Sequence, residues 1–226
     1  MRRWSTLLIS LLLGVCLGCS TEPPPDPKET LALAKKRLDA ARTVRFDLSS
    51  EDLPKTGVVL VSGGGVAKRP LAFRGRFRVA TGGVAVTVSV VSVDGTLYAR
   101  LPLTDRFVAT RPERLGIPDP ASLLHPERGL SSFLTQATHV RSVGKSRSGR
   151  EVVEELRARL PARVLGRLLH VADPSATFHA RFFVDEGTGQ LRRASFRGPF
   201  YDATTPTTYT VVLDRYDEPA TITRPR

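Results

Sequence analysis

The chain has 226 residues, of which 41% are hydrophobic and 25% are charged, and 34 Lys and Arg against 22 Asp and Glu give a formal charge of +12. This composition is typical of a globular protein of one domain, two at most, and it excludes a fibrous or wholly disordered chain. The two cysteines, Cys16 and Cys19, both lie near the N-terminus, which excludes a disulfide framework, a cysteine-ligated zinc site and an iron–sulfur site.

Residues 1–18 predict an export signal. Arg2 and Arg3 precede an apolar run over residues 7–18 that is interrupted by Ser10. The run is shorter than the ~20 residues that a membrane-spanning helix needs, and it suits the apolar core of a signal peptide. The chain is therefore expected to act outside the cytoplasm.

The end of the apolar run resembles a bacterial lipoprotein signal. Gly18 is a small residue immediately before Cys19, the arrangement in which the cysteine is diacylated and becomes the mature N-terminus. We expect Cys19 to be the lipidation site and the protein to be anchored on the extracytoplasmic face of the cell membrane. Cys16 is the alternative acceptor, although Val15 before it fits the small position less well. An ordinary secretory signal peptide is the other interpretation.

A proline-rich tether, residues 19–27, leads into a single domain over residues 28–226. Asp26, Pro27 and Glu29 have the spacing of a helix N-terminus with a capping box. The helix that follows is expected to bury one face, consisting of Leu31, Ala34, Leu38 and Ala41.

Alternation with period two predicts strands from residue 44 onward, over residues 44–49, 57–67, 71–80, 84–93, 96–101 and 107–110. Asp94-Gly95 is a strong hairpin turn. The run Gly63-Gly64-Gly65 lacks a following helix to hold phosphate, and we interpret it as a bulge. Strands joined by tight turns without intervening helices indicate an antiparallel sheet.

The second half begins with short helices and returns to strands. Helices are predicted over residues 119–124 and from residue 130 to 137. Residues 151–170 are ambiguous, and we interpret them as a strand to Leu160 followed by a helix over 162–170. Further strands are predicted over residues 176–185, 191–197 and 207–216.

Catalytic motifs are not recognised. The four histidines are scattered, and the chain lacks a nucleophile elbow, a zinc-binding His-Glu-x-x-His motif and a phosphate loop. We expect no catalytic residue, no metal and no cofactor, and His179 is expected on the outer face of its strand. The histidines are His125, His139, His170 and His179.

Three arginines, Arg74, Arg76 and Arg78, alternate along one predicted strand and therefore share a sheet face. One interpretation is an ordinary solvated face. The other is attraction to anionic membrane or glycolipid head groups. Nucleic acid is not an expected partner, because the chain carries an export signal and this strand lacks an aromatic stacking platform.

Three segments resemble the LppX/LprG-type lipoprotein family of actinobacteria, the LppX–LprA–LprF–LprG group. They are residues 93–99 (VDGTLYA), residues 117–130 (IPDPASLLHPERGL) and residues 216–222 (YDEPATI). The middle segment, with Asp-Pro, paired leucines, proline and Gly-Leu opening a helix, is the most specific. Residues 141–172 resemble the family least.

The resemblance implies a fold and a function. The fold is α+β, a strongly curved antiparallel sheet, or half-barrel, with helices on its concave face around a hydrophobic cavity. The function is binding of multi-acylated envelope lipids or glycolipids and their carriage between the membrane, a transporter and the outer envelope. Such a protein is not an enzyme, and we expect a monomer with acylated lipids, the membrane surface and a membrane transporter as candidate partners.

The residues that the resemblance implies as cavity lining are apolar positions on one strand, the following hairpin strand and the covering helices. An ordinary filled core would use the same residues. An envelope scaffold that binds proteins and an unrecognised lipid hydrolase are the alternative functions. The candidate lining residues are Val86, Val88, Val90, Leu97, Leu123, Leu124, Leu130, Phe133, Leu134, Leu165, Leu168 and Leu169.

Overall fold

A computed structural model describes residues 25–112 and 119–225. Within these residues, eleven strands form one antiparallel sheet: β1 (Thr43–Glu51), β2 (Val58–Lys68), β3 (Ala72–Thr81), β4 (Val84–Val93), β5 (Thr96–Arg100), β6 (Val108–Thr110), β7 (Thr138–Ser148), β8 (Glu151–Pro161), β9 (Thr177–Asp185), β10 (Leu191–Gly198) and β11 (Thr207–Asp214). The helices are α1 (Pro27–Ala40), a 3₁₀ helix (Pro120–Leu124), α2 (Leu130–Gln136) and α3 (Ala162–Leu165). The predicted antiparallel sheet with few helices is confirmed.

The sheet consists of two meanders joined at one seam. Its strand order is β6-β5-β4-β3-β2-β1-β11-β10-β9-β8-β7, so that the first meander runs outward from the centre in chain order and the second runs from the far edge back to the centre. The seam is the antiparallel pairing of β1 with β11, in which Leu48 lies opposite Val211. The sheet is open, with β6 and β7 as its edges.

Helices cover one face of the sheet, which we call the inner face. Helix α1 contacts β7, β9 and β10, whereas the 3₁₀ helix contacts β2, β3 and β4. Helix α2 packs against α1, the 3₁₀ helix and α3. The apolar core therefore lies between the sheet and a thin helical layer that spans both meanders.

Helix α1 has the predicted Asp26 cap and the predicted buried face, whereas the reciprocal capping-box bond from the Asp26 N–H to Glu29 is absent among the described residues. The Asp26 carboxylate accepts a hydrogen bond of 2.9 Å from the Lys28 backbone N–H, and Pro27 occupies the first turn. Its predicted apolar face is buried in the core. At the other end, the Arg69 guanidinium donates to the carbonyl oxygens of Ala41 at 2.9 Å and Leu38 at 3.3 Å. A cation at a helix C-terminus is favourable because the last carbonyls carry partial negative charge.

Strand β7 (Thr138–Ser148) was not predicted. It is an edge strand with two register shifts against β8, and most of its described side chains are exposed. An edge strand with irregular pairing has no buried face to impose period-two alternation, so the sequence pattern there is weak.

The helix predicted over residues 162–170 is wrong in its length, because α3 ends at Leu165. Gly166 follows, and the backbone N–H of Leu168 bonds to Leu165 in a tight turn. The Ala172 N–H then bonds to the Phe200 carbonyl, in the segment that follows β10. The chain therefore leaves the helix while its apolar periodicity continues.

The bulge predicted at the glycine run is also wrong. Gly63, Gly64 and Gly65 pair in regular register with β1 and β3, and the register shift lies earlier, between Leu60 and Ser62. A Cβ on Gly65 would lie 2.3 Å from the Arg74 carbonyl oxygen. A Cβ on Gly63 would meet the Phe77 ring at 2.3 Å and one on Gly64 the Asp47 carboxylate at 2.5 Å, so each of the three positions has little room for a side chain.

We expect Gly129→Ala to destabilise the protein, because a Cβ there would lie 2.4 Å from the Leu123 carbonyl oxygen and 2.6 Å from that of His125. Its backbone is extended, so the clash rather than a strained torsion sets the effect. Overpacking of this kind costs about 1–3 kcal/mol, measurable as a lower Tm.

The matched control is Gly166→Ala. A Cβ at Gly166 meets its nearest atom at 3.4 Å, and the residue is helical. This variant should melt at or above the native temperature. Equal melting of the two variants would contradict the assigned contact between the 3₁₀ helix and the start of α2.

Candidate functional site

The candidate lining residues converge on one apolar cluster at the inner face. With one exception they belong to the buried core or pack directly against it. Strands β4 and β5 contribute one side of this cluster. The 3₁₀ helix and α2 contribute a second side, and α3 with the turn after it contributes a third. The residues so placed are Val88, Val90, Leu97, Leu123, Leu124, Leu130, Phe133, Leu134, Leu165, Leu168 and Leu169.

Val86 is the exception, because it lies at the margin of the covered face. The alternate side chains of β4 become steadily more exposed toward its start: Val90 is 1% exposed, Val88 9%, Val86 38% and Val84 64%. All four share the inner face by strand alternation. The apolar inner face therefore continues past the helical layer into solvent at this end of the sheet.

Neighbouring strands extend this apolar margin. Val79 of β3 lies opposite Val86, and Leu60 of β2 lies opposite Val79. Both Leu60 and Val79 are partly buried. We call the row Leu60, Val79 and Val86 the open margin. The sequence does not reveal it, since alternation assigns these residues to a face but not to a depth.

Aromatic rings fill the other half of the inner face. Phe178 and Phe200 have ring centroids 4.7 Å apart, and Phe200 meets Tyr209 edge-on at 4.8 Å. Phe196 contacts Phe133 of α2 at 5.6 Å. Edge-to-face rings at these separations are favourable and tightly packed. The β9–β11 half is thus a rigid core, whereas β4 presents valines.

Two tyrosines secure the backbone at the bulge in β2. The Leu60 N–H donates to the Tyr201 hydroxyl at 2.9 Å, and the Tyr209 hydroxyl donates to the Leu60 carbonyl at 2.8 Å. The two hydroxyls also contact each other. Burial raises the pKa of Tyr209 far above its ordinary value, so the side chain stays neutral. These bonds replace the ladder bonds that the bulge disrupts, and they fix the backbone beside the open margin.

Polar contacts fasten the helices at two points. Asp39 of α1 accepts a hydrogen bond of 2.6 Å from the Ser131 hydroxyl of α2 and pairs with Lys35 at 2.6 Å. On the sheet side, Glu154 of β8 accepts from Ser142 at 2.7 Å and from Thr30 of α1 at 3.2 Å. These contacts make α1 the element that links α2 to the far meander.

The histidines lie apart from one another. His179 is exposed on the outer face, as predicted, and His139 is exposed on β7. His170 stacks on Tyr201 with ring centroids 5.9 Å apart, and the His125 ring accepts from the Glu127 N–H at 3.2 Å. No cluster of three metal-ligating side chains occurs among the described residues.

Arg74, Arg76 and Arg78 lie exposed on the outer face, on the side of β3 opposite the core residues Phe73 and Phe77. Two further arginines from neighbouring strands, Arg45 and Arg100, join them in lining a groove of about 840 Å³. Sequence reasoning missed these two, because only the cross-strand register brings them beside β3.

Comparisons with known proteins agree in fold and family. A model of the LppX_LprAFG lipoprotein family matches residues 26–222. The lipoarabinomannan carrier protein LprG of Mycobacterium tuberculosis is 22% identical over 225 residues, covering 96% of this chain and 92% of that protein. The crystal structure of LprF from Mycobacterium bovis superposes with a TM-score of 0.72 at 14% identity, covering 89% of this chain and 98% of that chain. For LppX from M. tuberculosis the TM-score is 0.60 at 12% identity, with 87% and 98% covered.

We expect Asp39→Ala to destabilise the helical layer more than Ser131→Ala. Removing the carboxylate leaves the buried Ser131 hydroxyl without its partner, which costs about 1–3 kcal/mol. Removing the hydroxyl instead leaves Asp39 paired with Lys35. Urea unfolding of the two single variants and the double variant measures the coupling, and additive effects would contradict a direct bond between α1 and α2.

Proposed function

The chain belongs to the LppX_LprAFG lipoprotein family, and from that membership we propose that it binds multi-acylated lipids or glycolipids of the cell envelope and carries them between the membrane, a transporter and the outer envelope. The acyl chains lie between the inner face of the sheet and the helices. The observation that carries the proposal is the graded exposure along β4, which leads from a buried apolar wall to solvent.

The relatives support an acylated envelope lipid as the ligand and a role in which the ligand is not chemically converted. LprG is named a carrier of lipoarabinomannan, and the family is one of lipoproteins. Their names describe carriage rather than turnover. We therefore propose a non-enzymatic protein whose ligand is an acylated envelope lipid.

The open margin is the proposed entrance for acyl chains. Leu60, Val79 and Val86 present apolar surface that the helices leave partly exposed. The 3₁₀ helix covers β2, β3 and β4 just beyond this row and carries the partly buried Leu123. Displacement of this short helix would extend the margin into the valine wall of β4. The aromatic half, packed ring against ring, stays in place.

The energetics of acyl transfer determine the mode of delivery. A lipid with three chains of ~16 carbons has about 48 methylene-sized groups, and at ~0.8 kcal/mol each its transfer from water yields on the order of 40 kcal/mol. Such a lipid does not exchange through bulk water. The carrier must collide with a membrane, a transporter or another carrier, and no covalent step is required.

A lipid anchor would keep the carrier at the membrane. The signal peptide (residues 1–18), Cys19 and most of the tether lie outside the described residues. Within the described residues, no helix is long and apolar enough to cross a membrane. The two acyl chains of a diacylated Cys19 would hold the domain at the surface on the tether of residues 19–27.

One alternative is favoured by a specific observation. The aromatic rings of β9–β11 and α2 fill half of the inner face, as expected for an envelope scaffold that binds proteins and has no lipid cavity. Native mass spectrometry of the protein made in an actinobacterial host separates the hypotheses. Bound acylated lipid supports the carrier, a lipid-free protein supports the scaffold, and conversion of a bound lipid supports a hydrolase.

We expect Val86→Asp to lower the amount of co-purified acylated lipid. A carboxylate in the open margin must be desolvated by an incoming acyl chain, and a penalty of at least ~1.4 kcal/mol corresponds to about a tenfold loss of affinity. The fold should survive because Val86 is partly exposed. Lipid extraction and Tm are measured on the same preparation.

Val212→Asp is the matched control. Val212 is 42% exposed on β11, where its neighbours Val211 and Leu213 are buried, so it lies on the outer face. This variant introduces the same charge at similar exposure and should carry native amounts of lipid. Equal lipid in both variants and the native protein would refute the open margin as the entrance.

We expect Cys19→Ser to release the protein from the membrane fraction, because the acyl acceptor is lost. Cys16→Ser is the control, and it should leave the protein acylated and membrane-bound. Fractionation with intact-mass measurement checks both. The opposite pattern would identify Cys16 as the lipidation site.

A further inference from the structure

A groove of about 840 Å³ on the outer face of the sheet has arginine walls. It lies on the side of the sheet opposite the helices, so it is distinct from the proposed acyl site. Five arginines line it, one from β1, three from β3 and one from β5: Arg45, Arg74, Arg76, Arg78 and Arg100.

Cross-strand register creates the groove. Arg76 lies opposite Gly64 of β2 on one side and Ser89 of β4 on the other, and Ser89 lies opposite Arg100 of β5. Gly64 has no side chain and Ser89 a short one, so the long arginine side chains stand above a shallow floor. The result is a trough that crosses the strands.

The groove arginines lack carboxylate partners. Within residues 25–112 and 119–225, Arg74, Arg76, Arg78 and Arg100 form no ion pair. Asp47 is the acidic side chain of the groove, and its carboxylate lies 3.9 Å from Arg45. Five guanidinium groups thus face one carboxylate, and their mutual repulsion is unfavourable until an anion enters.

On the opposite half of the outer face, part of the arginine charge is compensated by a carboxylate. Arg181 of β9 donates to both oxygens of Glu155 at 2.9 and 3.0 Å, and Arg157 adds a third bond at 3.1 Å. The hydrogen bond from Arg181 holds the pKa of Glu155 below its usual range. Arginines on this face can therefore be paired with a carboxylate. The arginines of β3 differ from Arg157 and Arg181 in having no such partner among the described residues.

Aromatic contacts at the rim pre-orient the groove. The Arg100 guanidinium lies 5.2 Å from the centroid of the Phe107 ring, which holds it without neutralising its charge. At the other side, the segment after β11 crosses the sheet, with Lys68 donating to the Ala220 carbonyl at 2.9 Å and Arg224 lying 5.4 Å from the Tyr98 ring. Pro225 of this segment borders the groove.

We propose that this outer groove binds the phosphate groups of anionic membrane lipids and docks the outer face of the sheet on the membrane surface. Guanidinium groups match phosphate oxygens in planar, two-pronged geometry. Phe107 at the rim suits the polar–apolar boundary of a bilayer. Docking through the groove would be independent of acyl binding, because the two sites lie on opposite faces of the sheet.

Vesicle flotation of the full chain tests the proposal. The probes are vesicles of phosphatidylcholine alone and vesicles with about 30% phosphatidylglycerol, compared at ~0.15 M salt. The measured quantity is the gain in bound protein on adding phosphatidylglycerol, and it is compared between the native chain and variants that share the same N-terminal segment. Each arginine near an anionic surface contributes about fivefold to partitioning.

The groove variant replaces Arg74, Arg76 and Arg78 by glutamine, and the control variant replaces Arg141, Arg147 and Arg150 of the β7–β8 hairpin. All six are exposed, and both variants lose the same charge. We expect the groove variant to lose the phosphatidylglycerol-dependent gain by at least ~10-fold, with unchanged Tm and unchanged co-purified lipid, and the control to keep most of it.

Three results would overturn the proposal. The native protein could show no gain on phosphatidylglycerol, or both variants could lose it equally, which would reveal a response to net charge alone. The third is a groove variant that keeps the full phosphatidylglycerol-dependent gain of the native protein, which would show that these arginines do not contact the lipid phosphates. Loss of co-purified lipid in the groove variant would contradict the independence of the two sites.

Discussion

The pairing of β1 with β11 is the interaction on which the rest of the molecule depends. Each meander is built from local hairpins, and this single seam joins them across most of the chain length. Helix α1 leads directly into β1 yet packs on β7, β9 and β10 of the other meander. The seam and α1 therefore both join the two meanders. As a result, the inner faces of the two meanders form one continuous surface.

The two faces of the sheet have different chemistry because strand alternation separates them. On β3, Phe73 and Phe77 point into the core while the arginines between them point outward. The inner face is apolar and runs past its helical cover at the open margin. The outer face is cationic: Arg157 of β8 and Arg181 of β9 pair with Glu155, whereas the arginines of β3 and β5 form no ion pair among the described residues. Apolar and anionic parts of a lipid environment would thus meet opposite sides of one sheet.

The two halves of the inner face are filled differently. The β9–β11 half is packed mainly with aromatic rings, whereas in the β2–β4 half the stacked rings of Phe73 and Phe77 lie beside the valines of β4 and under a five-residue 3₁₀ helix. A short helix is held by few contacts and can move at little cost, while interlocked rings resist expansion. On the proposed function, this difference places acyl entry at the β2–β4 half and leaves the β9–β11 half as the fixed wall.

Local signals in the sequence were sufficient to predict many of the helix, strand and turn features of this protein. The cap at Asp26, the buried face of α1, the hairpin at Asp94-Gly95 and the two faces of β3 follow from short-range rules, and resemblance to the family supplied the half-barrel with covering helices. Apart from the exposed Val86, the candidate lining residues lie in or against one buried apolar cluster. These features depend on spacing along the chain, which the sequence records directly.

Tertiary structure decided the features that depend on how distant strands pair and how helices cover them. It placed the register shift at Leu60 rather than in the glycine run, ended α3 at Leu165 and made an irregular edge strand of residues 138–148. It also brought Arg45 and Arg100 beside β3 and left Val86 beyond the helical layer. Alternation assigns a residue to a face, but its depth and its neighbours across the sheet arise only when distant strands pair and helices cover part of them.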